Sequence, residues 1–151
     1  MQLDAHFAIG NFISDAMRGG PVLVRGDGSS FRSYLYASDL AVWLWTVLFK
    51  GQSRRAYNVG SEDALNIAAL AGEVAAAMPQ KINFSIAATP TPGAPVHRYV
   101  PCTARAREEL GLRAEVPLRE AIRRTHAWFA GNTSAEPEIS RPEVTARGVH
   151  A

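Results

Sequence analysis

The chain has 151 residues, 47% of them hydrophobic, with 16 Lys+Arg against 14 Asp+Glu and a formal net charge of +2. That length suits one domain, the apolar content can bury a core, and the near-neutral balance argues against a basic face built for nucleic acid. Cys102 is the only cysteine, which excludes an intrachain disulfide and fits a reducing cytoplasm.

Residues 1–10 lack the basic start and continuous apolar stretch of a signal peptide, so a cytoplasmic location is expected. Over residues 7–18, Ile9, Phe12, Ile13 and Met17 recur at helical spacing, and Gly19-Gly20 supplies the stop. Residues 21–25 read as a short strand opening into a glycine turn at 26–28, and residues 31–37 as a second strand. Ser38 or Asp39 is placed to cap the next helix, residues 40–49. That helix is apolar on every side, yet shorter than the roughly 20 residues that span a bilayer. An all-round apolar helix has to be covered on both faces. It is either a central core helix or one made to lie against protein outside this chain.

Residues 56–60 read as a brief strand ending in glycine. Asn66 is a cap for a helix from 67 to about 78, with Pro79 beyond it, and residues 81–87 alternate like a strand. The Thr/Pro/Gly composition of 89–95 reads as a loop. Thr103 is placed to cap a short helix stopping at Gly111, and Pro117 suits the first turn of a last helix reaching about Phe129. From residue 131 the apolar periodicity ends, so residues 1–130 are expected to form the folded portion and 131–151 a disordered tail. The arginines between 105 and 124 alternate with Glu108, Glu109, Glu115 and Glu120, the pattern of a solvated, salt-bridged surface.

Several segments carry a resemblance beyond these patterns. Residues 20–28 and 26–40, with Arg32 set among Phe31, Tyr34 and Tyr36, are followed in order by Tyr57-Asn58-Val59-Gly60, by Tyr99-Val100-Pro101, by residues 104–112, and by 118–129 with Trp128. In this order they resemble the extended short-chain dehydrogenase/reductases of the NAD-dependent epimerase/dehydratase family. The resemblance implies an α/β fold: the C-terminal, substrate-binding part of an extended Rossmann-type protein, with short strands, four to five helices and no N-terminal Rossmann core. Two hallmarks of that family do not occur in the chain. There is no G-x-x-G-x-x-G, and neither Lys50 nor Lys81 has a tyrosine four residues before it, those places being Thr46 and Ala77. The chain is therefore expected to be a fragment without catalytic or cofactor-binding residues, NAD or NADP belonging to the full-length parent.

By the same resemblance the parent is a sugar-nucleotide epimerase or 4,6-dehydratase, an isomerase or lyase. Arg32 is then the grip on the diphosphate, a role that suits a planar, permanently charged fork. Leu23, Val24 and Arg25 lie against the nucleotide base. Phe7 and Ala8 enter the site at the loop before the first helix, and Asn58 faces the phosphate or base. Thr91 stands where relatives often carry a second arginine, with Arg98 a few residues on as its substitute. Ser33 and Cys102 stand where aspartates are frequent. Without the resemblance, Arg32 is an exposed or ion-paired strand residue, Asn58 a turn cap, and Cys102 a small buried or half-buried side chain. Asp39, Glu62 and Asp63 precede helices and read as caps or macrodipole partners rather than acid–base catalysts. His6, His97, His126 and His150 show no metal-ligand spacing, so no metal is expected. The expected partners are a nucleotide-diphosphate sugar and the missing Rossmann half, with self-association if the 40–49 helix stays uncovered. The chain alone would not turn over. A second reading is a non-catalytic nucleotide-sugar-binding or pairing module, and a third an inactive remnant.

Overall fold

A computed structural model describes residues 7–132. Among them lie five helices: α1 (Ala8–Met17), α2 (Ala37–Lys50), α3 (Ile67–Ala77), α4 (Ala104–Leu110) and α5 (Leu118–Asn132). Five short strands join them: β1 (Val22–Val24), β2 (Phe31–Arg32), β3 (Leu65–Asn66), β4 (Phe84–Ile86) and β5 (Arg98–Tyr99). β1 pairs in parallel with β4, and a second sheet has the order β3-β2-β5. This is the expected α/β architecture of short strands and helices. The expected tail begins inside α5 at Gly131 and Asn132, and its residues 133–151 lie outside the described region.

The main core forms where three helices close over β1. Phe12, Ile13 and Ala16 of α1 meet Val22 and Val24, then Leu70, Ala71 and Val74 of α3, and Ile122 of α5. The helical spacing in α1 and the alternation in β1 supply these contacts: Val22 and Val24 point inward while Leu23 stays exposed. A second, smaller cluster holds Trp43 of α2 against Ala106 and Leu112, with Val47, Tyr57 and Val59 beside it. Trp43 Nε1 donates to Arg113 O at 3.0 Å, so its polar atom is satisfied inside that cluster.

Caps follow the sequence in part. Asn66 accepts from Ala69 N at 2.7 Å as the N-cap of α3, and Gly111 ends α4 in the left-handed conformation at φ 68°. The other expected caps differ. α2 begins at Ala37, so Ser38 and Asp39 fall within its first turn, and Thr103 makes no side-chain cap bond. Asp39 is instead buried, accepting from the backbone N–H groups of Glu115 and Val116, each at 2.9 Å. Glu62 reaches across from another segment to accept Thr103 N at 2.7 Å and to pair with Arg107. A carboxylate from elsewhere therefore serves the start of α4, where the sequence suggested a local hydroxyl.

Three further expectations change. Residues 56–60 form no strand among the described residues; side-chain bonds hold them instead, Asn58 Nδ2 to Cys102 O at 2.9 Å and Tyr57 Oη to Glu109 at 2.9 Å. Cys102 is exposed, not buried or half-buried. The reading of α2 as a central core helix also fails. Only Asp39 and Trp43 are buried, because one narrow stripe faces the second cluster. Leu44, Trp45, Leu48 and Phe49 are 54%, 60%, 68% and 75% exposed.

Candidate functional site

A cavity of about 580 Å³ opens between the polar face of α1, the free edge of β1 and the glycine turn before β2. Its size falls within the range of small-molecule sites. Asn11, Ser14, Asp15 and Arg18 line it from α1; these positions recur at helical spacing on the face away from Phe12 and Ile13. Leu23, Val24 and Arg25 line it from β1, and Arg32 from β2.

The turn that brings Arg32 to this place is tightly built. Asp27 Oδ1 accepts from Ser29 N at 3.0 Å, and Ser29 Oγ donates to the same carboxylate. The backbone bond from Ser29 holds the Asp27 carboxyl below its ordinary range. Gly28 has φ +73°, and a Cβ there would stand 2.7 Å from the Ala68 Cβ. Only glycine satisfies both demands. One residue past Arg32, Ser33 Oγ donates to Ser61 O at 2.7 Å and accepts from Ser61 N at 2.9 Å. The serine thus ties β2 to the segment entering β3, without an aspartate.

Arg32 is half-buried, and its Nη1 donates to Phe31 O at 2.8 Å. No carboxylate pairs with it among the described residues, nor with Arg18 or Arg25. Elsewhere five arginines are matched, Arg55 to Glu109, Arg107 to Glu62, Arg119 to Glu73, and Arg123 and Arg124 to Glu120, while Arg54, Arg98, Arg105 and Arg113 pair with no carboxylate among the described residues. Three guanidiniums without carboxylate partners thus line one cavity, together with the carboxylates of Asp15 and Asp27.

The other candidate residues divide. Ala8, Leu23, Val24, Arg25 and Arg32 share the cavity wall. Phe7 is 74% exposed at the foot of α1 and is not part of that wall. Asn58 is exposed and commits its amide N–H to Cys102 O. Thr91 is exposed in the 89–95 loop. Arg98 is separated from Arg32 by register: β2 and β5 pair Phe31 with Arg98 and Arg32 with Tyr99, so the two arginines leave opposite faces of the sheet. Arg98 lies over the Phe31 ring, 5.4 Å from its centroid. Arg98 and Arg32 nevertheless line one further cavity of about 310 Å³, together with His97 and Tyr99. Asp15 and Arg18 were missed by the sequence reading. The signal available was the polar recurrence at 11, 14, 15 and 18, which any solvent-facing helix side also shows.

A dinucleotide pyrophosphate is received where a strand passes through a glycine turn into a helix. β1 runs through a glycine turn into another strand, so its turn delivers no helix N-terminus to receive a pyrophosphate. Among the described residues no group of three His, Cys, Asp or Glu is arranged to hold a metal, and no helix is long and apolar enough to cross a membrane.

Residues 3–60 match the family model described as the NAD dependent epimerase/dehydratase family. The chain is 28% identical over 134 residues to dTDP-glucose 4,6-dehydratase of Haemophilus influenzae, covering 82% of this chain and 39% of the relative. It is 30% identical over 122 residues to UDP-glucuronic acid decarboxylase 2 of Arabidopsis thaliana, covering 81% and 27% respectively. Its fold matches UDP-glucose 4-epimerase of Thermotoga maritima, solved with UDP-glucose, at a TM-score of 0.68 and 22% identity over 84% of this chain and 40% of that one. The fold class is thus that of the Rossmann-type α/β enzymes. Over residues 3–60 the chain is similar to the NAD-dependent epimerase/dehydratase family, and it spans well under half the length of these relatives.

Proposed function

We propose that this chain is the substrate-binding portion of a cytoplasmic, NAD(P)-dependent sugar-nucleotide epimerase or dehydratase, and that it holds the nucleotide diphosphate without turning it over by itself. The observation that carries this reading is the cavity in which Arg18, Arg25 and Arg32 stand without carboxylate partners beside the edge of β1. Arg32 grips the diphosphate, because a half-buried guanidinium binds phosphate oxygens more strongly than a fully solvated one. Leu23, Val24 and Arg25 lie along the base, with Ala8 closing the wall. Relatives whose names state UDP- and dTDP-sugars support the ligand class.

The exposed apolar face of α2 supports the second half of the proposal, a partner in the form of a dinucleotide-binding Rossmann half. Leu44, Trp45, Leu48 and Phe49 are all more than half exposed on this one helix, and grouped exposed apolar side chains mark interaction surfaces. Calorimetric titration of the chain with UDP-glucose, dTDP-glucose and GDP-glucose tests the binding role, absence of heat with all three being the negative result. We expect saturable heat that Arg32→Ala reduces by roughly tenfold in affinity. Absence of heat at millimolar ligand refutes the proposal and leaves the inactive remnant. Binding that persists unchanged in Arg32→Ala refutes the assigned grip.

A further inference from the structure

A strand edge presents backbone groups in a fixed donor–acceptor order, and β1 turns one edge to the cavity. Val22 N–H donates to Asn83 O at 2.9 Å, and Val24 O accepts from Ala87 N–H at 2.8 Å, so these two residues spend their backbone on the β4 side. Leu23 lies between them and directs its own N–H and C=O the opposite way. There its N–H donates to Asp15 Oδ2 at 3.2 Å. Asp15, Leu23 and Arg25 all line the cavity.

Without Asp15 this edge would read donor, acceptor, donor: Leu23 N–H, Leu23 O, Arg25 N–H. That order complements uracil or thymine, whose edge offers carbonyl, N3–H, carbonyl. Asp15 covers the first donor with a carboxylate, and its Oδ1 makes no hydrogen bond to a described residue. The edge then reads acceptor, acceptor, donor.

We infer that the base subsite selects guanine, with Asp15 as the specificity-determining residue. This rests on the proposal above that the cavity takes a nucleoside diphosphate. Guanine is the common base whose edge runs donor, donor, acceptor: exocyclic amino group, N1–H, O6. The amino group meets the Asp15 carboxylate, N1–H meets Leu23 O, and O6 receives Arg25 N–H. A uracil in the same place sets a carbonyl oxygen against the carboxylate, two acceptors with no proton between them, and each loses a partner it had in water. The assignment departs from the UDP and dTDP sugars in the relatives' names.

The test is calorimetric titration of the full chain with GDP, UDP and ADP at one ionic strength. GDP should bind at least roughly tenfold more tightly than UDP, since a polar pocket rejects a base that leaves its groups unpaired. Asp15→Asn keeps an oxygen for Leu23 N–H and offers the ligand an amide donor instead, with almost no change of shape. This variant should fold with unchanged circular dichroism, weaken GDP by roughly tenfold and tighten UDP, so that the ratio collapses or inverts. Arg32→Ala should weaken every nucleotide alike. A wild-type chain that prefers UDP or does not discriminate, or an Asp15→Asn variant with the wild-type ratio, overturns the guanine assignment. Loss of binding in Arg32→Ala would then still uphold the cavity. A chain that binds none of the three nucleotides overturns both readings.

Discussion

Arg32 stands at the end of a two-residue strand, half-buried, with one guanidinium nitrogen held by the carbonyl of Phe31 at 2.8 Å. The rest of the fork faces the cavity without an acidic neighbour among the described residues, so its charge contributes little to the fold. Arg32→Lys keeps the charge but removes the paired geometry. We expect it to weaken nucleotide-sugar affinity by roughly fivefold while shifting stability by less than about 0.5 kcal/mol. Comparison of titration and melting curves separates the two effects; equal loss in both would make Arg32 structural. Gly28 is the opposite kind of residue, needed by the fold and not by the ligand. With φ +73° and only 2.7 Å between an added Cβ and that of Ala68, Gly28→Ala should destabilise the chain by about 1–3 kcal/mol in urea unfolding. An unchanged midpoint would mean that the turn relaxes freely.

Helix α4 shows how an element is held by groups distant in sequence. Glu62 accepts Thr103 N and pairs with Arg107, while Glu109 binds Arg55 and Tyr57. The backbone bond from Thr103 holds the Glu62 carboxyl below its ordinary value, and the Arg55 hydrogen bond does the same for Glu109. Folded-state values below the unfolded ones give stability that is complete above the ordinary glutamate range and is lost as pH falls through the folded values. The melting temperature should accordingly be flat near neutrality and fall in acid, and Glu62→Gln with Glu109→Gln should flatten that fall. An acid limb identical in this double variant contradicts the assignment. Helix α2 presents a different problem, since its buried stripe is one residue wide and its other faces are apolar and exposed. Sedimentation velocity of the isolated chain should show concentration-dependent association. Replacing Trp45 and Phe49 with glutamate should return it to a monomer. A wild-type chain that is monodisperse and melts cooperatively would show that this face needs no cover.

At the scale of the molecule, local patterns were legible where one residue's chemistry decided the structure. The α1 spacing, the Asn66 cap, the Gly111 stop and the alternation of β1 were readable because helix and strand periods act over a few residues. Register was not. That Arg98 pairs with Phe31, and Arg32 with Tyr99, depends on a parallel contact between strands more than 60 residues apart, which no local pattern encodes. The same distance hid Asp39 beneath Glu115 and Val116, and gave α4 its glutamate from position 62. The site was half legible: a lone arginine among aromatics is conspicuous, whereas Asp15 and Arg18 look like any polar helix face until β1 is laid beside them. The central claim is that this cavity receives a nucleoside diphosphate. Chemical-shift mapping of the isotope-labelled chain during a nucleoside-diphosphate titration tests it most directly. The account predicts saturable shifts at Asp15, Arg18, residues 23–28 and the Arg32 side chain, with α4 and the distal part of α5 unmoved. Shifts that are absent at millimolar nucleotide, or that cluster on α2 and leave Arg32 unchanged, would contradict it.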